Sequence, residues 1–290
     1  MKEALLYDVL DDLLIRCKVC NHYCLIKEGK RGICGVRENR KGFLLALNYG
    51  LMIAKAIDPI EKKPLYHFLP KTKTYSFAAM GCNYHCLWCQ NHEISQSSKN
   101  NKPIFGYEVE PEVHVRNALT NKCESISYTY SEPTIYLEYA LETMRIARDK
   151  GLKNIWVTNG FMSDETLDLI MPFIDAMNID LKTVNNQKHL LYCGSKSEPV
   201  LKNLKRVYNS DIHLEVTTLI VPGFNDEIKD IVDIIDFLKD ELGSDIIWHI
   251  SRFFPAWKMV KYQPTNLEII FKAKELANKS GLNRVYLGNI

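Results

Sequence analysis

The chain has 290 residues, 46% of them hydrophobic, and its 37 Lys and Arg against 35 Asp and Glu leave a formal charge of +2. That length and apolar content bury a full core and exclude a disordered chain, while near-neutrality argues against a polyanionic partner such as nucleic acid. No stretch approaches the roughly 18 uninterrupted apolar residues of a membrane span, and nine cysteines without a secretory leader point to the cytoplasm, where thiolates serve metals rather than disulfides.

In chain order, the opening MKEALLYDVLDDLLIR mixes acids with apolar residues and reads as an amphipathic helix. Next come Cys17, Cys20, Cys24 and Cys34, spaced C-x2-C-x3-C-x9-C. Four thiolates suit a closed site holding zinc or an iron-sulfur cluster, with His22 as a substitute ligand and Gly29, Gly32 and Gly35 allowing a tight backbone. Around Cys34, residues 27–41 carry six basic side chains against two acidic ones, a solvated face or a dock for an acidic protein or RNA. Residues 1–70 therefore read as a small N-terminal extension with a four-cysteine metal site, and residues 71–290 as the core.

From about residue 74, strand-like runs alternate with helical ones. The strands are TYSFAAM to Met80, SISYTY to Tyr130, NIWVT to Thr158, AMNIDL to Leu181, HLEVTTLIV to Val221 and IIWHIS to Ser251. The clearest helices span 134–150, stopped by Gly151, and 227–242, stopped by Gly243. A last run, RVYLGNI, reads as an edge strand or a cover for the barrel bottom. Six βα units fall short of eight, so the fold class is α/β with an open, partial (β/α)6 barrel, its chemistry at the C-terminal strand ends.

Directly after the first of these strands, Gly81-Cys-Asn-Tyr-His-Cys-Leu-Trp-Cys-Gln90 spaces Cys82, Cys86 and Cys89 as C-x3-C-x2-C. A loop of that length wraps one cubane, and three soft thiolates leave one iron without a protein ligand. The vacancy admits a small molecule that chelates through an amino and a carboxylate group. A zinc site completed by His85 or His92 is the alternative.

The triplet, its place after the first strand and the βα rhythm together resemble the radical S-adenosylmethionine (SAM) superfamily, from about residue 70 to the end. Within it the segment is similar to the pyruvate formate-lyase activating enzymes, and the N-terminal pattern resembles the AmmeMemoRadiSam system radical SAM proteins. The resemblance implies a [4Fe-4S] cluster on Cys82, Cys86 and Cys89 that takes an electron from a donor such as ferredoxin or flavodoxin. It then cleaves SAM reductively, so that hydrogen is abstracted from a substrate. The N-terminal cysteines would hold zinc or a second [4Fe-4S] cluster. Three functions remain open: a glycyl-radical-enzyme activase with a protein substrate, a modifier of a small molecule, protein or RNA, and a non-catalytic iron-sulfur or zinc protein.

The resemblance also maps the SAM contacts. Tyr130-Ser131-Glu132-Pro133 stands for the Gly-Gly-Glu-Pro turn whose carbonyls receive the SAM amino group, with a Tyr side chain expected to face the pocket and to share a strand face with Tyr128. Thr158, Asn159, Asp180 and Lys182 lie where relatives contact the SAM ribose or carboxylate. Val157 replaces a cation-binding Asp, and Thr217 replaces an Arg. Pro222 and Gly223 match the Val-Pro-Gly turn beside adenine, against which Trp88 would stack. His249 is either a SAM or substrate contact or an interior histidine. Of the two isolated cysteines, Cys123 reads as a core residue, while Cys193 is the candidate catalytic donor of a hydrogen atom or electron.

Overall fold

A computed structural model describes residues 1–290. The chain divides into two compact units, Met1–Asn83 with Asn91–Met177, and Tyr84–Gln90 with Asn178–Ile290.

The first unit begins with β1 (Lys2–Glu3), β2 (Tyr7–Val9), β3 (Ile15–Cys17), β4 (Leu25–Ile26), β5 (Arg37–Arg40) and β6 (Phe43–Ala46). These strands form two small sheets, in the orders β1-β6-β5 and β2-β3-β4. The expected N-terminal helix is therefore absent. Leu10 N–H bonds the Leu14 carbonyl across a turn in which Asp12 and Leu13 adopt positive φ, so Tyr7 faces Cys17 across an antiparallel pair. Ile15 and Cys17 point inward and Arg16 outward, a period of two that tertiary pairing imposes over the helical acid and leucine spacing.

The parallel part of this unit consists of β8 (Lys73–Ala79), β10 (Ser125–Tyr128) and β11 (Lys153–Thr158). β10 lies between the other two, placing Ser127 beside Ser76 and Ile155. All four β10 side chains are buried, as expected of a strand covered on both faces. A strand missed in the sequence, β7 (Leu51–Pro59), pairs antiparallel with β8, and the short β9 (Tyr107–Glu108) pairs with β7. The helices of this unit are α1 (His92–Ser95), α2 (Pro111–Thr120), α3 (Leu137–Asp149) and α4 (Asp164–Ile170). Pro133–Tyr136 forms a 3-10 turn that leads into α3, so the α helix starts three residues later than Thr134.

β12 (Ala176–Asp180) carries the chain into the second unit. There, β13 (His213–Ile220), β14 (Ile247–Arg252) and β15 (Arg284–Gly288) run parallel in that order. The RVYLGNI run is therefore an edge strand. The helices are α5 (Asn186–Cys193), α6 (Glu198–Tyr208), α7 (Ile228–Leu242) and α8 (Leu267–Ser280). Ile231, Ile234, Ile235, Leu238 and Leu242 form the buried stripe of α7, the i, i+3, i+4, i+7 spacing of a helix docked on a sheet. No helix is long and apolar enough to cross a membrane.

Candidate metal centre and cofactor site

Of the cysteine triplet, Cys82 belongs to the first unit and Cys86 and Cys89 to the second. In the first unit the organising group is Glu132, just beyond β10. Its carboxylate is buried and accepts from Thr134 N–H at 3.1 Å, Thr134 Oγ1 at 2.5 Å, Thr158 Oγ1 at 2.7 Å and Asn159 N–H at 2.9 Å. Burial pushes its pKa above the ordinary glutamate value, against the pull of these donors. Glu132 thereby ties the end of β10 to the end of β11.

Asn159, held in this way, donates from Nδ2 to Asn83 Oδ1 at 2.7 Å, and the same nitrogen stands 3.9 Å from the Cys82 sulfur. Its own Oδ1 accepts from Phe161 N–H at 3.0 Å. Asn83 Nδ2 is buried without a hydrogen-bond partner, a donor beside Cys82 left for something the polypeptide does not supply. Neither Asn83 nor its link to Asn159 was legible in the sequence, because Asn within a cysteine loop carries no pattern of its own.

Tyr130 departs from expectation. β10 ends at Tyr128, whose hydroxyl bonds Asn154 Oδ1 in the core, and Tyr130 adopts φ +63° in the turn. The two tyrosines do not share a strand face. The Tyr130 hydroxyl donates to Asp58 Oδ2 at 2.6 Å, and Lys63 Nζ, itself 2.8 Å from Asp58, lies 4.5 Å from the Tyr130 ring centre. The hydroxyl of the side chain that stands where the resemblance expects glycine is thus anchored to a buried ion pair. The Tyr130 carbonyl accepts from Asn91 Nδ2 at 2.8 Å, and Ser131 Oγ donates to the Ala79 carbonyl. Val157 packs against an apolar cluster that includes Ile60, Leu65, Ile155 and Ala176, with no carboxylate at that position to attract a cation.

In the second unit, His85 N–H and Leu87 N–H bond the carbonyls of Cys193 and Tyr192 at the end of α5. The loop is so close that a Cβ on Gly194 would stand 2.0 Å from the His85 ring. Cys193 is fully buried, and its thiol meets that of Cys86; burial first, then this contact, pushes Cys193 well above the ordinary thiol value. Lys182 pairs with Asp180 at 2.9 Å, and its side chain is only 12% exposed. Burial alone would lower its pKa, but Asp180 and the nearby Cys86 and Cys193 thiols hold it above the usual lysine range. The cation is thus enclosed beside a candidate ligand thiol, while the Asp180 carboxylate remains exposed.

Trp88 is buried in an aromatic group with Phe224, at 4.7 Å between centres, and Tyr192. The Tyr192 hydroxyl donates to the Gly223 carbonyl at 2.9 Å. Gly223 follows Pro222 with φ +75°, a value that favours glycine, and Asn225 braces the turn by bonding Val221 N–H and the carbonyls of Lys182 and Leu219. His249 is buried on β14, and its Nε2 lies 2.6 Å from Glu215. Glu215 also contacts His213 at 2.9 Å. His249 therefore has the geometry of a satisfied interior histidine.

At the N-terminus, Cys17, Cys20, Cys24 and Cys34 line a single small cavity with Arg37. Burial pushes the Cys17 thiol up to about 12 and raises Cys20 and Cys24 as well. Arg37 makes a paired bond to Glu138, and this partner a hundred residues away left no trace in the local pattern. Cys123 is buried, as expected for a core residue.

The donor chemistry fits a [4Fe-4S] group: three thiols on one short loop, a side-chain N–H near Cys82 and an enclosed ammonium near Cys86. Comparison with known proteins agrees. The chain is 46% identical over 290 residues to the uncharacterized protein MJ0808 of Methanocaldococcus jannaschii, covering all of this chain and 86% of that one. It is 21% identical over 162 residues to the pyruvate formate-lyase 1-activating enzyme of Escherichia coli, covering 55% of this chain and 66% of that one. A radical SAM methyltransferase from Sphaerobacter thermophilus shares the fold, with a TM-score of 0.58 at 15% identity over 76% of this chain and 67% of that one. The Radical SAM superfamily model matches residues 78–238, and the chain belongs to that superfamily.

Proposed function

We propose that the protein is a radical SAM enzyme in which Cys82, Cys86 and Cys89 hold a [4Fe-4S] cluster. When bound, the cluster supplies an electron that cleaves SAM reductively and starts hydrogen abstraction from a substrate. The observation that carries this reading is the three-thiol loop directly after β8, with Asn159 directed at Cys82 and Lys182 placed beside Cys86.

The chain's own residues then divide the work. Glu132 shapes the two strand ends and has its acceptor capacity filled by backbone and hydroxyl donors, so the Tyr130–Ser131 turn offers SAM its carbonyls rather than a carboxylate. Asp180, Thr158 and Asn159 serve the ribose and carboxylate end. Trp88, Pro222 and Gly223 form the flat apolar side for adenine. Cys193 acts through Cys86, by donating a hydrogen bond to that sulfur.

Within this reading we favour activation of a protein partner by abstraction of hydrogen from glycine, because an activating enzyme aligns with more than half of the chain. A modifier of another substrate is the second reading, and the replacements at Val157 and Tyr130 favour it. The electron donor is a low-potential protein such as ferredoxin or flavodoxin.

The test is anaerobic reconstitution with iron and sulfide, reduction with dithionite, addition of SAM and chromatographic measurement of 5′-deoxyadenosine, with the triple variant Cys82→Ala, Cys86→Ala, Cys89→Ala as control. Product from the unmutated protein alone supports the reading. No product from a protein with intact cluster refutes it.

A further inference from the structure

The turn after β10 contains a residue that its backbone shape does not favour. Tyr130 adopts φ +63°, a left-handed conformation that glycine enters freely and that a Cβ makes costly. Glycine is what the resemblance to the superfamily expects at this position. A tyrosine keeps this shape only where its surroundings hold it there.

The hold comes from β7, the strand that the six βα units do not include. Asp58, which lies opposite Thr74 of β8, accepts the Tyr130 hydroxyl through Oδ2 at 2.6 Å. The same oxygen is 2.8 Å from Lys63 Nζ and 3.4 Å from Ser76 Oγ, while Oδ1 is 3.5 Å from Lys62 Nζ. Asp58 is 8% and Lys63 3% exposed. Lys63 Nζ also lies 3.4 Å from the Tyr130 hydroxyl oxygen and 4.5 Å from the ring centre. The tyrosine is therefore gripped at its tip by the anion and along its ring by the cation.

The backbone beside it is fastened to the same part of the sheet. Ser131 Oγ donates to the carbonyl of Ala79, the last residue of β8, and Ser131 N–H closes onto the Thr129 carbonyl at 2.8 Å. The Tyr130 carbonyl accepts from Asn91 Nδ2 at 2.8 Å, which fixes its direction and leaves a second lone pair. β8 runs on into the Cys82 loop. The turn and the Cys82 backbone thus share one support, β8, and Asp58 on β7 ties the Tyr130 side chain to it.

We propose that Asp58 and Lys63 are positioning residues for SAM. Their ion pair holds the Tyr130 hydroxyl, and this keeps the turn in the left-handed form in which its carbonyls receive the SAM amino group. The role toward SAM rests on the function proposed above, whereas the anchoring of the turn does not.

The test is made on Tyr130, because Asp58→Ala would strand the buried Lys63 ammonium and endanger the fold. Tyr130→Phe, Tyr130→Ala and Tyr130→Gly leave Asp58 paired with Lys63. SAM affinity is measured by calorimetry on each protein after anaerobic reconstitution with iron and sulfide. Phe and Ala keep the Cβ and lose the anchor, so both should bind SAM about tenfold more weakly. Gly deletes most of the side chain yet needs no anchor, so it should bind more tightly than either. A loss that grows with the amount of side chain removed, with Gly the weakest, overturns the proposal, as does an affinity that no variant changes. A second measurement needs no SAM: amide hydrogen exchange of residues 129–132 should be faster in Tyr130→Phe than in the unmutated protein, and equal exchange overturns the anchor. If exchange quickens while the unmutated, cluster-loaded protein binds no SAM, the anchor stands and the SAM reading falls.

Discussion

Asn159 Nδ2 donates to Asn83 Oδ1 at 2.7 Å while standing 3.9 Å from the sulfur of Cys82. An N–H directed at a cluster thiolate stabilises the reduced, more negative state and so raises its potential. On the proposed function, Asn159→Ala should therefore lower the midpoint potential of a cluster held at Cys82 and slow SAM cleavage, with iron content preserved. Potentiometric titration followed by paramagnetic resonance checks this. An unchanged potential would mean that Asn159 only shapes its own turn.

Arg37 and Glu138 form an ion pair in which each side chain is 1% exposed. Removing one member leaves the other buried and uncompensated, at a cost of about 3–5 kcal/mol. Arg37→Met should lower stability by that amount in urea unfolding, and Glu138→Gln by less, since the amide still accepts a hydrogen bond from Arg37. A change below about 1 kcal/mol for Arg37→Met would show that the pair is reached by water.

His114 stacks on Phe77 at 4.0 Å between ring centres, and burial, with a smaller contribution from Lys55, pushes its pKa from 6.5 down to about 4. A ring whose folded pKa is depressed is held neutral by the fold. Its contribution is complete above about pH 6.5 and lost as pH falls toward 4. Between pH 6.5 and 5 the loss is about 2 kcal/mol. His114→Phe removes the proton site, so its denaturation midpoint should fall less than that of the unmutated protein over this range. Equal losses would refute the assignment.

Gly35 sits at φ +75°, and a Cβ there would be 2.2 Å from the Ser98 carbonyl oxygen, a backbone atom that cannot rotate away. Gly35→Ala combines the roughly 1–2 kcal/mol cost of a left-handed residue with that clash. Because Ser98 Oγ also bonds the Cys34 carbonyl, the variant should lose stability and, on the reading of the knuckle as a metal site, its metal as well. Metal analysis with thermal unfolding tests both.

The sequence by itself determined the βα order, the six strands and the cysteine spacings. Parallel strands covered on both faces must be apolar runs, and a three-thiol loop must be contiguous to wrap one cluster. Both demands are local and leave a pattern. The N-terminal segment misled because its acid and leucine spacing suits a helix, while the pairing of Tyr7 with Cys17 across a tight turn decides otherwise. Only the tertiary structure decided which groups each of these residues meets. Tyr130 reaches Asp58, Glu132 gathers donors from β11, Arg37 meets Glu138, and Lys182 and Cys193 lie beside Cys86. These partners lie from a few residues to more than a hundred apart in the chain. Buried polar groups must find hydrogen-bond partners wherever the packed chain places them, and no periodicity in the sequence records that choice.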